Sequence, residues 1–209
     1  MHTDITGAIL AGGKSSRMGV NKSFLELDGR KMIDRTVDLM KDVFERVILI
    51  TNDPLIYGYL GLDMFEDIYP GYGPIVGIHT ALVNSLTAKC FVLSCDMPFI
   101  DKDAIEFIAR YDLQSDIVVP RADGFVQQLC GIYSVNLITG IEDNMLTVTD
   151  NEERDSDQKK RKCRVHRLID RSNSKIIDAE NEYYAYRKDL FFNMNSMADY
   201  NYVKSVLSR

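Results

Sequence analysis

The sequence predicts an α/β fold built on a mostly parallel β-sheet, with helices covering both faces. Apolar runs of strand length alternate along the chain with segments of helical periodicity, which is the order from which parallel sheets are assembled. Several of these runs are apolar throughout, as expected for strands that are buried on both faces. With 209 residues and 45% hydrophobic content, the chain can form one sizeable core, and we expect a single domain over residues 1–209.

The first half of the chain contains four predicted strands separated by helical or turn-rich segments. Residues 5–10 form the first strand, and residues 31–44 follow as a helix with an apolar stripe. The remaining elements are a strand over 46–50, a polar break at 51–54, a short helix, a short strand at 63–67, a turn-rich loop at 70–74, a helix over 75–86 and an apolar strand over 90–95.

The second half is less regular. Asp101 suits the N-cap of a helix within 100–111, and Ser196 is predicted to begin the closing helix. Further strands are predicted at 115–120, 128–134, 175–179 and 190–195. Residues 150–164 carry charge in blocks and lack periodicity, which predicts a solvated, flexible insert. A basic patch for nucleic acid is the alternative, and the adjacent acidic block weakens it.

Composition argues against several classes of protein. The net charge of −6 argues against general nucleic-acid binding. No apolar run approaches the roughly 20 residues that span a bilayer, and the N-terminus lacks the pattern of a secretory signal, so we expect a cytoplasmic protein without membrane contact. The four cysteines include no C-x-x-C pair and the three histidines are scattered. We therefore expect buried free thiols and structural histidines rather than a disulfide or a zinc site.

Polar residues follow the predicted strands at their carboxyl ends, where open α/β sheets bind ligands. These ends lie at residues 10–13, residues 51–53, Asp67 and Asp96. Because the carboxyl ends of parallel strands meet at one edge of a sheet, the four positions should lie close together. The sequence therefore predicts a ligand site at this edge.

A glycine-rich segment, residues 10–22, follows the first strand directly. Its glycines let the backbone approach a ligand closely, and successive N–H groups in such a loop form an anion-binding concavity. Lys14, Arg17 and Lys22 add three positive charges that can meet a triphosphate. A phosphate-binding loop is therefore predicted here, and a surface turn with solvated basic side chains is the alternative.

A P-loop is a rival interpretation of this segment. The pattern G-x-x-x-x-G-K-[ST] fits residues 8–15, except that Ala8 replaces the first glycine. Asp96 after an apolar strand also resembles the second acidic motif of P-loop NTPases. Two features oppose this interpretation. The first-glycine position lies inside the apolar strand, and the helix expected directly after the lysine is missing because loop residues continue to Asn21.

Four segments of the sequence resemble motifs of the molybdenum cofactor guanylyltransferases. They are LAGGKSSRMG-x-x-K, FEDIYPGYGPIVGI, LSCDMPFI and FFNMNSMADY, and they occur in the family's order over most of the chain. The resemblance implies a three-layer α/β/α, Rossmann-like nucleotidyltransferase fold. Gly12 in the LAGG form of the first motif favours GTP over CTP, because the related cytidylyltransferases usually have LAAG at this point.

The resemblance also implies a set of GTP-binding residues. They are Leu10, Ala11, Gly12, Gly13, Lys22, Asn52, Asp67 and Asp96. Asp96 is the implied ligand of Mg²⁺, and it acts on the phosphates together with Lys22 and Arg17. Mg²⁺ takes one or two carboxylates beside phosphate oxygens and waters, and the Asp67 carboxylate can accept hydrogen bonds from both N1–H and the 2-amino group of guanine. Helix capping by Asp96 and an Asx-turn at Asn52 are the alternatives.

The resemblance also implies where the second substrate, the acceptor molybdopterin, binds. Asn193 and Asn195 match the family's N-x-N-T-P-E element on that side of the site. Residues 196–198 read Ser-Met-Ala in place of Thr-Pro-Glu, and serine can still cap the helix. Further candidates on this side are Arg121, Gln127 and Gln128. Lys22, at the end of the glycine-rich segment, is expected to lie away from the two asparagines.

The implied function is transfer of GMP from GTP to molybdopterin or the molybdenum cofactor, with Mg²⁺ as cofactor and pyrophosphate as second product. The acceptor phosphate is already anionic near neutral pH, so catalysis rests on positioning and charge neutralisation rather than on a strong base. Proteins that deliver the cofactor or act as molybdoenzyme chaperones are further expected partners. The alternatives are CTP as donor, another phosphate acceptor, a P-loop NTPase and a non-catalytic nucleotide-binding protein.

Overall fold

The central sheet is built from strands that are largely buried on both faces. The protein is described by a computed structural model over residues 1–12, 21–149 and 164–208. Its strands are β1 (Ile5–Leu10), β2 (Glu26–Leu27), β3 (Arg30–Lys31), β4 (Val47–Ile50), β5 (Asp63–Phe65), β6 (Lys89–Ser94), β7 (Ile117–Ala122), β8 (Phe125–Val126), β9 (Cys130–Ser134) and β10 (Ser174–Asp178). The main sheet has the order β10-β7-β9-β6-β1-β4-β5, with β8 paired to β7, while β2 and β3 pair separately.

Helices pack on both faces of this sheet. Within the described ranges they are α1 (Met32–Val43), α2 (Pro54–Tyr57), α3 (Pro74–Val83), α4 (Lys102–Tyr111), α5 (Ile138–Thr149), α6 (Val165–Arg171), α7 (Ala179–Glu182) and α8 (Met197–Leu207). One apolar core lies between the sheet and helices α1 and α4, and the other lies between the sheet and helices α3, α5 and α6. Neighbouring residues of β1 enter opposite cores, Ile9 the first and Leu10 the second. The predicted three-layer α/β/α fold is confirmed.

Most strand pairs of the sheet are parallel, as predicted. β1 pairs in parallel with β4 on one side and with β6 on the other, and β9 is antiparallel to both of its neighbours. The register places Leu10 level with Ile50 and Ser94, and Ile50 level with Phe65. Because the chain leaves β1 on one side and returns on the other, the sheet has a topological switch point there, where such folds bind ligands.

Both predicted helix caps are confirmed. At the start of α4, Asp101 Oδ1 accepts a hydrogen bond from the N–H of Ala104 at 2.9 Å. At the start of α8, Ser196 and Asp199 form a capping box, in which each side chain accepts a hydrogen bond from the backbone N–H of the other residue. The serine therefore caps the last helix as the sequence predicted.

Two predicted elements differ in the structure by more than one or two residues at their ends. Residues 190–195 are not a strand, and the prediction of one was wrong. Met194 is buried, and its N–H donates to the carbonyl of Asp96 at 2.9 Å, so the segment is anchored at one point of the loop after β6 rather than along a ladder. α3 ends at Val83, before the predicted end, because the side-chain amide of Asn84 donates to a carbonyl of the last turn at 2.8 Å.

The described cysteines and His79 are buried inside the fold. Free, buried thiols belong to Cys90, Cys95 and Cys130. His79 is 1% exposed, and its Nε2 lies 2.9 Å from Oε1 of Glu142. In the described ranges, no three potential His, Cys, Asp or Glu ligands cluster around a metal position.

None of the helices in those ranges combines the length and apolarity that crossing a membrane requires. Of the predicted insert, residues 150–163 lie outside the described residues.

Candidate active site

A cleft of about 1050 Å³ opens at the carboxyl ends of β1, β4, β5 and β6. This volume is near the upper end of the usual range for small-molecule sites. Seven of the predicted GTP-binding residues line it, namely Leu10, Ala11, Gly12, Lys22, Asn52, Asp67 and Asp96. Gly13 and Arg17 lie outside the described residues. The switch point therefore brings together candidates that are far apart in the sequence.

Backbone hydrogen bonds fix the loop that leaves β1. The N–H of Ala11 donates to the carbonyl of Ile50 at 3.0 Å, and the carbonyl of Leu10 accepts from the N–H of Cys95 at 3.3 Å. The loop is thus tied to the strand ends on both sides before it reaches Gly12. A Cβ added at Gly12 would meet no described heavy atom within 4 Å, so packing against the described residues does not require the glycine. Close approach of a ligand to the backbone would explain it.

Asn52 and Asp67 are joined by two reciprocal hydrogen bonds. Nδ2 of Asn52 donates to Oδ2 of Asp67 at 2.9 Å, and the N–H of Asp67 donates to Oδ1 of Asn52 at 2.9 Å. The alternative of an Asx-turn at Asn52 is wrong, since the residue two positions on, Pro54, has no N–H to donate. The turn is made instead by Thr51 Oγ1, which accepts from the N–H of Asp53 at 3.2 Å.

The Asp96 side chain presents a buried oxygen, Oδ1, that has no hydrogen-bond partner in the part of the chain that the structure describes. The alternative of helix capping by Asp96 is wrong, because Asp101 caps α4. An uncompensated buried carboxylate oxygen is costly, and a bound cation or a ligand donor would offset this cost. Asp96 is also a hard oxygen ligand at the edge of a cleft, so it fits the chemistry of the predicted Mg²⁺ site.

Two residues that the sequence analysis missed hold Lys22 in place. Asn21 Oδ1 accepts from the N–H of Ser23 at 3.0 Å and caps a short 3-10 turn over Lys22–Phe24. Nδ2 of Asn21 donates to the hydroxyl of the buried Tyr57 at 3.1 Å. A single tyrosine in a four-residue helix has no periodic pattern, so the sequence offered no signal for this contact.

The thiol of Cys95 lies beside this turn. Its Sγ is 3.1 Å from Oγ of Ser23. Burial, followed by the neighbouring charge of Asp96, raises the pKa of Cys95 to about 12. The group is therefore a thiol rather than a nucleophilic thiolate near neutral pH. This agrees with a site that does not rely on cysteine chemistry.

Lys22 also contacts the C-terminal segment. Its Nζ donates to Oδ1 of Asn195 at 2.9 Å. The expectation that Lys22 lies away from Asn193 and Asn195 is therefore wrong. The contact arises because Met194 is buried and bonded to the loop after β6, which carries the segment across the edge of the cleft. The candidate donor and acceptor residues adjoin each other at this lysine.

The side chain of Asn193 is hydrogen-bonded to the side chain of Gln127. Nδ2 of Asn193 donates to Oε1 of Gln127 at 3.2 Å, and Gln127 is only 8% exposed. The amide nitrogen of Gln127 reaches two carbonyl groups of the β7–β8 hairpin at 3.4 and 3.5 Å. Of the other candidates on this side, Arg121 is exposed and Gln128 is half-buried. None of these acceptor-side residues lines the cleft itself.

Comparison with known proteins supports a relationship over most of the chain. Residues 7–163 match the family model of the MobA-like NTP transferase domain. A probable molybdenum cofactor guanylyltransferase of Clostridium perfringens is 43% identical over 129 residues, which span 61% of this chain and 65% of that protein, just under two thirds of its length. A second protein of that description, from Carboxydothermus hydrogenoformans, is 30% identical over 206 residues and covers 98% of both chains.

A solved structure shows the same fold. The crystal structure of molybdopterin-guanine dinucleotide biosynthesis protein A from Archaeoglobus fulgidus matches with a TM-score of 0.78. The match covers 97% of this chain and 98% of that chain at 21% sequence identity. At this identity the likeness concerns the fold, and it agrees with the three layers described above.

Proposed function

Because the chain belongs to the MobA-like NTP transferase domain family, we propose that it transfers GMP from GTP to the terminal phosphate of molybdopterin and releases pyrophosphate. The observation that carries the proposal is one cleft with Asp67 after β5 and Asp96 after β6. β4 and β1 lie between these strands, so the two ends are about 14 Å apart at the usual strand spacing. This separation suits an extended nucleotide with its base at Asp67 and its phosphates at Asp96.

Recognition of guanine is assigned to the Asp67 carboxylate. Its Oδ2 accepts from Asn52, which fixes the orientation of the carboxylate before a ligand arrives. Such preorganisation lowers the cost of ordering the site on binding. The carboxylate can accept hydrogen bonds from N1–H and the 2-amino group of guanine, and neither adenine nor cytosine presents this pair of donors.

Asp96 is assigned as the Mg²⁺ ligand. Its Oδ1, buried and unpaired among the described residues, would provide one hard oxygen, with phosphate oxygens and waters completing the shell. Bound Mg²⁺ supplies neutralisation of the negative charge on the phosphates. The backbone carbonyl of Asp96 is held by Met194, so the residue is anchored on the side of the C-terminal segment. Lys22 adds a positive charge to the lining of the same cleft.

The transfer is an in-line displacement at the α-phosphorus. An oxygen of the acceptor phosphate forms the new P–O bond while the bond to the β-phosphate oxygen breaks, and pyrophosphate leaves with the electron pair. The acceptor oxygen is already anionic near pH 7, so the protein does not have to remove a proton. In agreement, the described lining contains no histidine, and its cysteine, Cys95, is protonated.

A donor screen tests this function. The purified protein is incubated with Mg²⁺, molybdopterin and either GTP, CTP or ATP, and the dinucleotide and pyrophosphate are both measured. We expect the guanine dinucleotide, with pyrophosphate released only when molybdopterin is present. Product from CTP in preference to GTP would assign a cytidylyl donor instead. Phosphate release without the acceptor would indicate an NTPase, and nucleotide binding without turnover would indicate a binding protein.

A further inference from the structure

The hydrogen bond between Lys22 and Asn195 joins the nucleotide cleft to the C-terminal segment over 173 positions of sequence. We propose that Asn195 is a positioning residue for Lys22. It holds the lysine ammonium where the α-phosphate of the donor meets the phosphate of the acceptor, and it thereby couples the two substrates. This inference rests on the proposed function, because it assigns Lys22 to both phosphates of that reaction.

Asn195 is exposed, yet its backbone is held on both sides. The preceding residue, Met194, is fully buried, and its N–H donates to the carbonyl of Asp96. On the other side, the N–H of Asn195 donates to the Asp199 carboxylate at 2.7 Å, next to the capping box of α8. The Asn195 amide nitrogen also donates to a backbone carbonyl two residues earlier at 3.3 Å, which helps to direct its oxygen toward Lys22.

The backbone of Lys22 is equally constrained, so its long side chain is the part that needs positioning. Asn21 is tied to the Tyr57 hydroxyl, and Ser23 is buried against Cys95. A lysine side chain still has a flexible four-carbon stem that can place its ammonium in many positions. The Asn195 oxygen selects one of these positions, and it does so from a segment that is hydrogen-bonded on both sides and lies outside the cleft.

The chemistry of an amide suits this role. A neutral oxygen accepts one of the three N–H donors of the ammonium and leaves its full charge, with two donors, for phosphate oxygens. A charged group on the same segment is Asp199, whose pKa is lowered. Burial alone would raise this pKa, but the N–H groups of Asn195 and Ser196 and the Lys22 ammonium favour the carboxylate. Oδ2 of Asp199 accepts from both of those N–H groups, whereas Lys22 Nζ donates to the Asn195 amide oxygen, so the amide is the direct partner of the lysine.

A double-mutant cycle tests the inference. The variants are Lys22→Ala, Asn195→Ala and the double variant, with Asn181→Ala as control, because the Asn181 side chain is exposed and, within the described ranges, donates to its near neighbour Asp178. For each we measure kcat, KM for molybdopterin and, by calorimetry without acceptor, Kd for GTP with Mg²⁺. We expect Asn195→Ala to lower kcat about tenfold and to change Kd for GTP less than about threefold. The control should match the wild type.

The kcat of the double variant shows whether Asn195 acts through Lys22. If Asn195 acts through Lys22, adding Asn195→Ala to Lys22→Ala should lower kcat by less than about a further twofold. Asn195→Gln, which keeps an amide oxygen, should recover part of the lost kcat. If the two losses multiply instead, Asn195 acts on the acceptor independently and the inference is rejected. Asn195→Ser provides a second truncation should the alanine variant unfold. A wild-type protein that binds GTP but transfers nothing would reject the proposed function itself, whereas multiplied losses in an active enzyme reject only the coupling.

Discussion

At the scale of single residues, Asp96 is the position where a substitution should most clearly lower catalysis and leave the fold intact. Asp96→Asn keeps the side-chain shape and the backbone bond to Met194, so the fold should be retained. Loss of the charge at the assigned Mg²⁺ ligand should cost roughly 3 kcal/mol or more in the transition state, which is about a hundredfold in kcat. The assay is GMP transfer at saturating substrates, combined with a thermal unfolding curve.

Asp53→Asn is the matched control for this prediction. Asp53 also lines the cleft, is exposed, and does not cap α2 with its side chain. The same loss of charge at this position should change kcat less than about threefold, as expected for surface changes. Near-normal turnover in folded Asp96→Asn protein would remove Asp96 from the mechanism.

Asp67→Asn should alter the choice of nucleotide more than the rate of transfer. A neutral amide cannot accept both guanine donors, and leaving one unpaired costs roughly 1–3 kcal/mol. The ratio of kcat/KM for GTP to that for CTP should therefore fall by about one to two orders of magnitude. Asn52→Ala should lower the same ratio to a smaller extent, because it releases the carboxylate from its fixed orientation.

The control is Glu66→Gln, an exposed neighbour of Asp67 that does not line the cleft. It should leave the GTP preference unchanged. Unaltered selectivity in Asp67→Asn would show that guanine is recognised elsewhere, for instance by backbone groups of residues 10–13.

At the scale of elements, the sequence predicted the strands and helices whose local residue pattern matches their environment in the fold. β4 is apolar throughout, and β1 is apolar apart from Thr6, because both strands are buried on both faces. The α4 and α8 caps follow from Asp101 and Ser196. Residues 190–195 have the composition of a strand but find no neighbouring strand. Their apolar side chains fill the core, and separate backbone bonds to turns and loops, such as that of Met194 to Asp96, anchor them in place of a ladder. Composition alone does not distinguish the two cases.

The candidate site likewise contains positions that the sequence predicted and contacts that it did not predict. The positions at strand ends were predictable, because sheet topology brings Asp67 and Asp96 to one edge whatever the details of packing. The contacts of Lys22 with Asn195 and of Asn21 with Tyr57 were not, because they depend on how segments without periodicity return across that edge.

The antiparallel strand β9 leads to a prediction at this scale. A Cβ on Gly131 would lie 2.3 Å from the carbonyl oxygen of Val118 and 2.8 Å from Cγ1 of Val119. The first neighbour is backbone of β7, which cannot move without disturbing the sheet. Gly131→Ala should therefore lower the free energy of unfolding by about 1–3 kcal/mol or more. Urea denaturation measures this change.

Gly140→Ala in α5 is the paired control. Its added Cβ would meet no described heavy atom within 4 Å. Removal of a glycine from a helix should raise the free energy of unfolding by roughly 0.5–1 kcal/mol. The two glycine replacements should thus have opposite signs. If both stabilise the protein, the close packing of β9 against β7 is not as described.

At the scale of the whole molecule, the cleft depends on segments from widely separated parts of the chain. Its walls come from the loops after β1, β4, β5 and β6, and the segment that contacts Lys22 arrives from beyond residue 190. No local fragment contains these groups in their arrangement. A ligand of this cleft should therefore bind the native state and not the unfolded chain, which links nucleotide binding to global stability.

This linkage gives a prediction for the intact protein. GTP with Mg²⁺ at about 100 times its Kd should stabilise the native state by about 2.7 kcal/mol. For a chain of this length, that corresponds to a rise in Tm of roughly 5–11 °C. The same GTP concentration with EDTA should produce a clearly smaller rise, since the ion held by Asp96 is then absent. In Asp96→Asn the two conditions should give nearly equal Tm values, because the variant lacks the charge that holds the ion. An equal rise with and without Mg²⁺ in the wild type would show that nucleotide binding does not depend on the ion, and the assignment of the Mg²⁺ ligand would have to be abandoned.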